Sequence, residues 1–239
     1  MMLDMIRKQF LIQKDDLIAS VLIAAGAGIF GVLLLQVIYY LKPDAAAEYV
    51  PLGTILSGGF ATFFAIAFIM VQLSVYFRLA ISMGGVRKYF FWAFLAVTLI
   101  QNLAIYGIVL LVHMGDQFLN RSRHPNMRMI VDVWPYLLKW GVPVIVLVVI
   151  GSMFLGALGM RFGKYAQGIF WVLWMVICIV FPRIMGAAED APNSVFGRFG
   201  NTAIDFCKGI PGSIWTAAIA IFSVAAMLGT YRILRKSSI

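Results

Sequence analysis

The sequence predicts an all-α, polytopic membrane protein with six transmembrane helices in a single domain, 1–239. Three observations carry that expectation. First, 62% of the residues are hydrophobic and 12% charged, with mean hydropathy +0.94; soluble domains run nearer ~45–50% apolar and about 25% charged. Second, six windows carry no Asp, Glu, Lys or Arg: 17–41, 49–77, 89–115, 140–160, 165–182 and 209–231. A helix needs about 20 mostly apolar residues to cross a bilayer, and all but 165–182 pass easily. Third, the charges collect in the connections between those windows. With no water in hydrocarbon, each backbone polar group must be paired within the chain, and helices do this locally.

Residues 1–16 mix apolar Met2, Leu3, Met5, Ile6, Phe10, Leu11 and Ile12 with Arg7, Lys8 and Lys14. The pattern predicts an interfacial amphipathic helix on the inner membrane face. A signal peptide is not expected here, because Asp15 and Asp16 precede an apolar run too long for an h-region. The spans follow at about 17–41, 52–77, 89–113, 138–160, 165–182 and 211–231. Ala24, Gly26, Gly28 and Gly31 put a close-approach stripe on the first, suited to helix packing or a dimer seam, and Gly58-Gly59 does similar work on the second. The fifth is short but dense in Phe, Trp, Val and Ile, and Pro182 closes it.

The distribution of cations sets the expected orientation. With the amino end inside, segments 1–16, 78–88, 161–164 and 232–239 hold 11 Lys and Arg; the longer outer connections 42–48, 116–139 and 183–208 hold 8, together with seven acids. Both termini are therefore expected in the cytoplasm. The formal charge of +9 reads as this topology signal and as attraction to anionic membrane lipid, with no nucleic acid as partner. Trp134 and Tyr136 are expected at headgroup level. Residues 183–211 hold Val195, Phe196, Phe199, Ile204 and Phe206 among Asn, Arg and Lys. A solvated loop has no use for those rings, so one or two short re-entrant helices, buried against protein, are expected between spans five and six.

Phe77 to Trp92, FRLAISMGGVRKYFFW, holds Arg78, Arg87 and Lys88 and no acid. A helical pattern runs to Met83, breaks at Gly84-Gly85 and restarts at Val86. Glycine accepts the left-handed conformation that closes a helix and lets a partner's backbone approach. Arg87 and Lys88 then face inner-leaflet phosphates or a partner's acids, and Tyr89 to Trp92 anchor the third span in the interface.

The six-span layout and the run Gly84-Gly85-Val86-Arg87-Lys88-Tyr89-Phe90-Phe91 resemble the permease subunit of type-2 ABC exporters, in the small bacterial form encoded apart from its ATPase. The resemblance implies a coupling turn at Arg78, Met83, Gly84, Gly85, Val86, Arg87 and Lys88, and a pathway flanked by spans one and two, where Gln36 and Gln72 lie. It also implies ABC ATPase subunits as partners, a second permease chain in a homo- or heterodimer, and a bacterial plasma-membrane location. No cofactor is expected in this chain; ATP and Mg belong to the partner.

The chain offers little chemistry of its own. It has no GxSxG, HExxH or P-loop, so it is expected not to be an enzyme. The spans as drawn hold no Asp, Glu, Lys or Arg, which disfavours an ion-coupled carrier. His113 and His124 are read as solvent or interface histidines. Gln36, Gln72, Gln101 and Asn102 either hold helices together or line a path. Cys178 and Cys207 have no CxxC or metal-ligand spacing. The expected function is ATP-driven export of an amphipathic or hydrophobic substrate, such as a peptide, an antimicrobial or a small toxic compound. The alternative is a non-transporting immunity or sensor protein that binds a peptide through its outer loops.

Overall fold

The computed structural model describes residues 2–41, 48–82, 86–123, 128–129, 132–163, 165, 168–172, 174–176, 179–180, 183–184 and 193–236. Among them the chain is helical apart from two-residue strands: α1 (Met2–Leu41), β1 (Glu48–Tyr49), α2 (Leu52–Ser82), α3 (Arg87–Arg123), β2 (Arg128–Met129), α4 (Trp134–Phe162), α5 (Val195–Gly209) and α6 (Gly212–Lys236). Five of these helices, α1 to α4 and α6, are long and apolar enough to cross a membrane. The expected fifth span, 165–182, lies partly outside the described residues. Its described pieces at 168–172, 174–176 and 179–180 are helical, and Trp171 meets Phe63 of α2 with ring centroids 5.8 Å apart.

The helices are longer than the charge-free windows, and this corrects two expectations. The break expected at 16/17 does not exist: α1 is one helix of 40 residues, about 60 Å long. Residues 2–16 are its first turns, not a separate interfacial helix. Helix α2 runs on to Ser82, as the helical pattern through Leu79 and Ile81 predicts. The second correction is that α3 continues through Asp116 to Arg123, so the expected outer connection 116–139 shrinks to the ten residues between α3 and α4.

Each start has a local cause. The Val86 carbonyl accepts the amides of Tyr89 and Phe90 at 3.0 and 3.1 Å and opens α3. Asp132 Oδ1 accepts the Trp134 amide at 3.0 Å, and proline in the first turn of α4 has no amide to leave unpaired. Ser194 Oγ accepts the Gly197 amide at 2.9 Å as N-cap of α5. Gly163 closes α4 at φ 73° and ψ −164°, a conformation open to glycine alone.

Helix α1 runs parallel to α3, since Gln13, Gly28 and Gln36 meet Gln101, Val112 and Asn120 in turn. Helices α2 and α6 run antiparallel to α3: Phe77 meets Phe90 edge-on, and Tyr231 meets Phe91 in the same way. The starts of α1 and α3 and the ends of α2 and α6 therefore share one end of the bundle, the corner end. Contact across the α1–α2 seam is close: a Cβ on Gly31 would lie 2.8 Å from Gly53 Cα, and one on Gly53 2.5 Å from Val32 Cγ2. Ala24, Gly28 and Gly31 thus serve packing within the chain, while Gly26 and Gly59 have nothing within 4 Å. At the far end β1 pairs in parallel with β2, Glu48 opposite Arg128.

Helix α5 is amphipathic as expected, but its rings are not buried against protein. Val195, Phe196, Phe199 and Phe206 are 78%, 60%, 63% and 68% exposed. Trp134 is half-buried within the bundle, leaving Tyr136 as the exposed ring at the start of α4.

Candidate functional site

The expected coupling turn sits at the corner end, between the end of α2 and the start of α3. Met83, Gly84 and Gly85 lie outside the described residues. Arg78 and Lys88 are exposed, and Val86 is half exposed. Arg87 is half-buried; its Nη1 donates to the Arg235 carbonyl at 2.7 Å. A cation on the last carbonyls of α6 meets the negative end of the helix dipole, so Arg87 ties α3 to α6 as well as carrying charge. With Val86, Lys88, Tyr231, Leu234 and Arg235 it lines a cleft of about 250 Å³.

Beneath the corner lies the main core. Phe77, Phe90, Phe91 and Phe94 are at most 1% exposed and pack with Leu73, Val149, Met153, Ala157 and Leu234. This corrects the expected headgroup anchor at Tyr89 to Trp92. Phe90 and Phe91 are interior residues joining α2, α3, α4 and α6, and only Trp92, 39% exposed, faces outward.

The two pathway glutamines do not come together. Gln36 Nε2 donates to Asn120 Oδ1 at 2.9 Å, joining α1 to α3 at the far end. Gln72 is half-buried on α2, 19 residues past Gly53, about 28 Å further along.

A buried polar node at the far end went unread in the sequence. His113, expected in solvent or at the interface, is 0% exposed. Its Nδ1 is 2.9 Å from Thr54 Oγ1 and its Nε2 is 2.9 Å from Gln117 Nε2. Trp134 stacks on the ring at 5.4 Å and 12°. Asp116, also 0% exposed, accepts from Asn120 Nδ2 at 2.9 Å. His113, Asp116, Gln117 and Asn120 recur at the spacing of one helix face, a signal lost when the third span is stopped at 113. Nearer the corner, Gln9, Gln13, Thr98 and Gln101 are buried between α1 and α3, and Gln101 Nε2 donates to the Gln13 carbonyl at 3.1 Å. Asp16 accepts from the Tyr76 hydroxyl.

No family model, no curated protein and no solved structure matches this chain. Its function must therefore be argued from the molecule itself.

Two carboxylates of these polar sites lie on the long helices, just outside the charge-free windows 17–41 and 89–115. Asp16 falls inside α1 and Asp116 inside α3, both helices of membrane-crossing length. Each is held by a neighbouring helix or side chain, as ionisable groups in such segments must be. Among the described residues no three His, Cys, Asp or Glu side chains gather into a metal site. A second, larger cavity of about 340 Å³ opens between α2, α3 and α4. It is lined mostly by apolar side chains, with Thr62, Asn102 and Tyr106 as polar points.

Proposed function

We propose that this chain is the membrane-spanning half of an ATP-driven exporter whose ATPase is a separate protein, carrying an amphipathic or hydrophobic substrate across the bacterial plasma membrane. One observation above all supports the reading: the exposed cationic corner stands on a close-packed aromatic core shared by four helices. Protein interiors of this density transmit displacement and do not absorb it. A push on Arg78 and Lys88 would pass through Phe77, Phe90 and Phe91 into Met153 and Ala157 of α4 and Tyr231 and Leu234 of α6. Arg87 would keep α3 and α6 moving together. In this reading ATP and Mg act on the partner, a second copy or paralogue completes the pathway, both termini are cytoplasmic, and helices turn as rigid bodies.

The test is to purify the chain from its native membrane in mild detergent and identify what accompanies it. An ABC ATPase is expected, with its ATP turnover raised by the chain. The double variant Arg78→Glu/Lys88→Glu should lose both capture and stimulation; it leaves the Arg87 tie intact. Unchanged turnover with the double variant would sink the coupling role.

The cavity between α2, α3 and α4 favours a second reading. Along α3 it begins at Asn102, 15 residues from Arg87, about 22 Å from the corner. A non-transporting immunity or sensor protein would take a peptide's apolar side chain there. Variants of Tyr106 or Trp140 would then abolish function, and corner variants would be silent.

A further inference from the structure

The cleft at the corner end joins two observations that the exporter reading leaves unexplained. Three cationic residues, Arg87, Lys88 and Arg235, line one space of about 250 Å³, and among its lining residues there is no carboxylate. Three like charges brought together repel unless an anion lies among them. The cleft is also two-sided. Leu234, 1% exposed, forms an apolar floor, and Val86, 48% exposed, forms an apolar lip. The Arg87 guanidinium is held by the Arg235 carbonyl, so its other N–H donors are pre-positioned, and Tyr231 completes the wall.

We infer that this cleft binds the phosphate headgroup of one anionic phospholipid. Phosphate suits a forked guanidinium with a neighbouring ammonium and a second guanidinium. The apolar lip suits an amphiphile better than a free anion. The place suits it too: the cleft lies where α3 begins and α6 ends, and headgroups of a bilayer crossed by those helices gather at that level. The inference requires only that α3 and α6 cross a bilayer and stands whether or not an ATPase docks nearby.

Native mass spectrometry of the detergent-purified chain tests it, with phosphatidylglycerol and phosphatidylcholine offered in equal amounts. The chain should retain one phosphatidylglycerol with about tenfold preference. Lys88→Gln/Arg235→Gln, which spares the guanidinium of Arg87 and the carbonyl it holds, should abolish the preference. Arg161→Gln, an exposed cation at the end of α4, should keep it. Equal retention of the two lipids, or an unchanged preference in the double variant, would overturn the site. Displacement of the lipid by inorganic phosphate at equal concentration would overturn the lipid assignment.

Discussion

Gly31 and Gly59 are both helical glycines in apolar runs, yet they should answer oppositely to the same substitution. Removing a helical glycine gains about 0.5–1 kcal/mol. At Gly59 nothing stands within 4 Å, so Gly59→Ala should be neutral or raise Tm in detergent. At Gly31 the new Cβ would stand 2.8 Å from the Gly53 Cα and from the Leu52 carbonyl. Backbone cannot turn aside as a side chain can, so α2 must shift, at about 1–3 kcal/mol, and Gly31→Ala should lower Tm. The polar node makes a second contrast. Gln36→Leu removes the interhelical hydrogen bond to Asn120, and such bonds are worth about 0.6 kcal/mol on average. His113→Ala leaves the buried Thr54 hydroxyl short of its partner, at about 1–3 kcal/mol, takes a contact from the half-buried Gln117, and removes the stack on Trp134. His113→Ala should therefore be much the more harmful, measured as Tm or as the detergent-resistant folded fraction.

Two elements behave differently from their hydropathy. Phe90 and Trp92 lie two residues apart in one aromatic run, and a headgroup belt would value them alike. The packing does not: Phe90 is 0% exposed and Trp92 39%. Phe90→Ala should cost about 3–5 kcal/mol, and Trp92→Ala far less. Helix α1 passes without a break through Lys14, Asp15 and Asp16. Asp15→Pro would remove an interior hydrogen bond and clash with the preceding turn, at about 3 kcal/mol or more; a hinge at that point would accept proline. Proteolysis and circular dichroism of the variant separate the two outcomes. The same continuity explains the misread boundary. Charge marks where a hydropathy window ends, but a helix ends only where its backbone hydrogen bonds stop.

For the whole molecule, the helix order puts Ser82 and Ser122 at opposite ends of the bundle, both exposed. In a background lacking Cys178 and Cys207, a membrane-impermeant thiol reagent on intact cells should label Ser122→Cys and spare Ser82→Cys. That outcome would agree with the cation bias, 11 on the expected inner side against 8. Labelling of both from outside would remove the corner from the cytoplasm and end the coupling proposal. The reverse pattern would invert the topology and end it equally.

The helical class, five helices of membrane-crossing length, the α2–α3 corner and, of the stripe Ala24, Gly26, Gly28 and Gly31, all but Gly26 were readable from residue order alone. The reason is that a bilayer imposes constraints along one dimension: a minimum apolar length, local pairing of every amide, and charge kept in the connections. Tertiary packing alone decided which polar and aromatic side chains turn inward. Asp116 and His113 look like loop chemistry, and Phe90 and Phe91 look like interface anchors, until α1, α2, α4 and α6 close around α3. Burial depends on what neighbouring helices place opposite a side chain, and linear spacing carries no record of that.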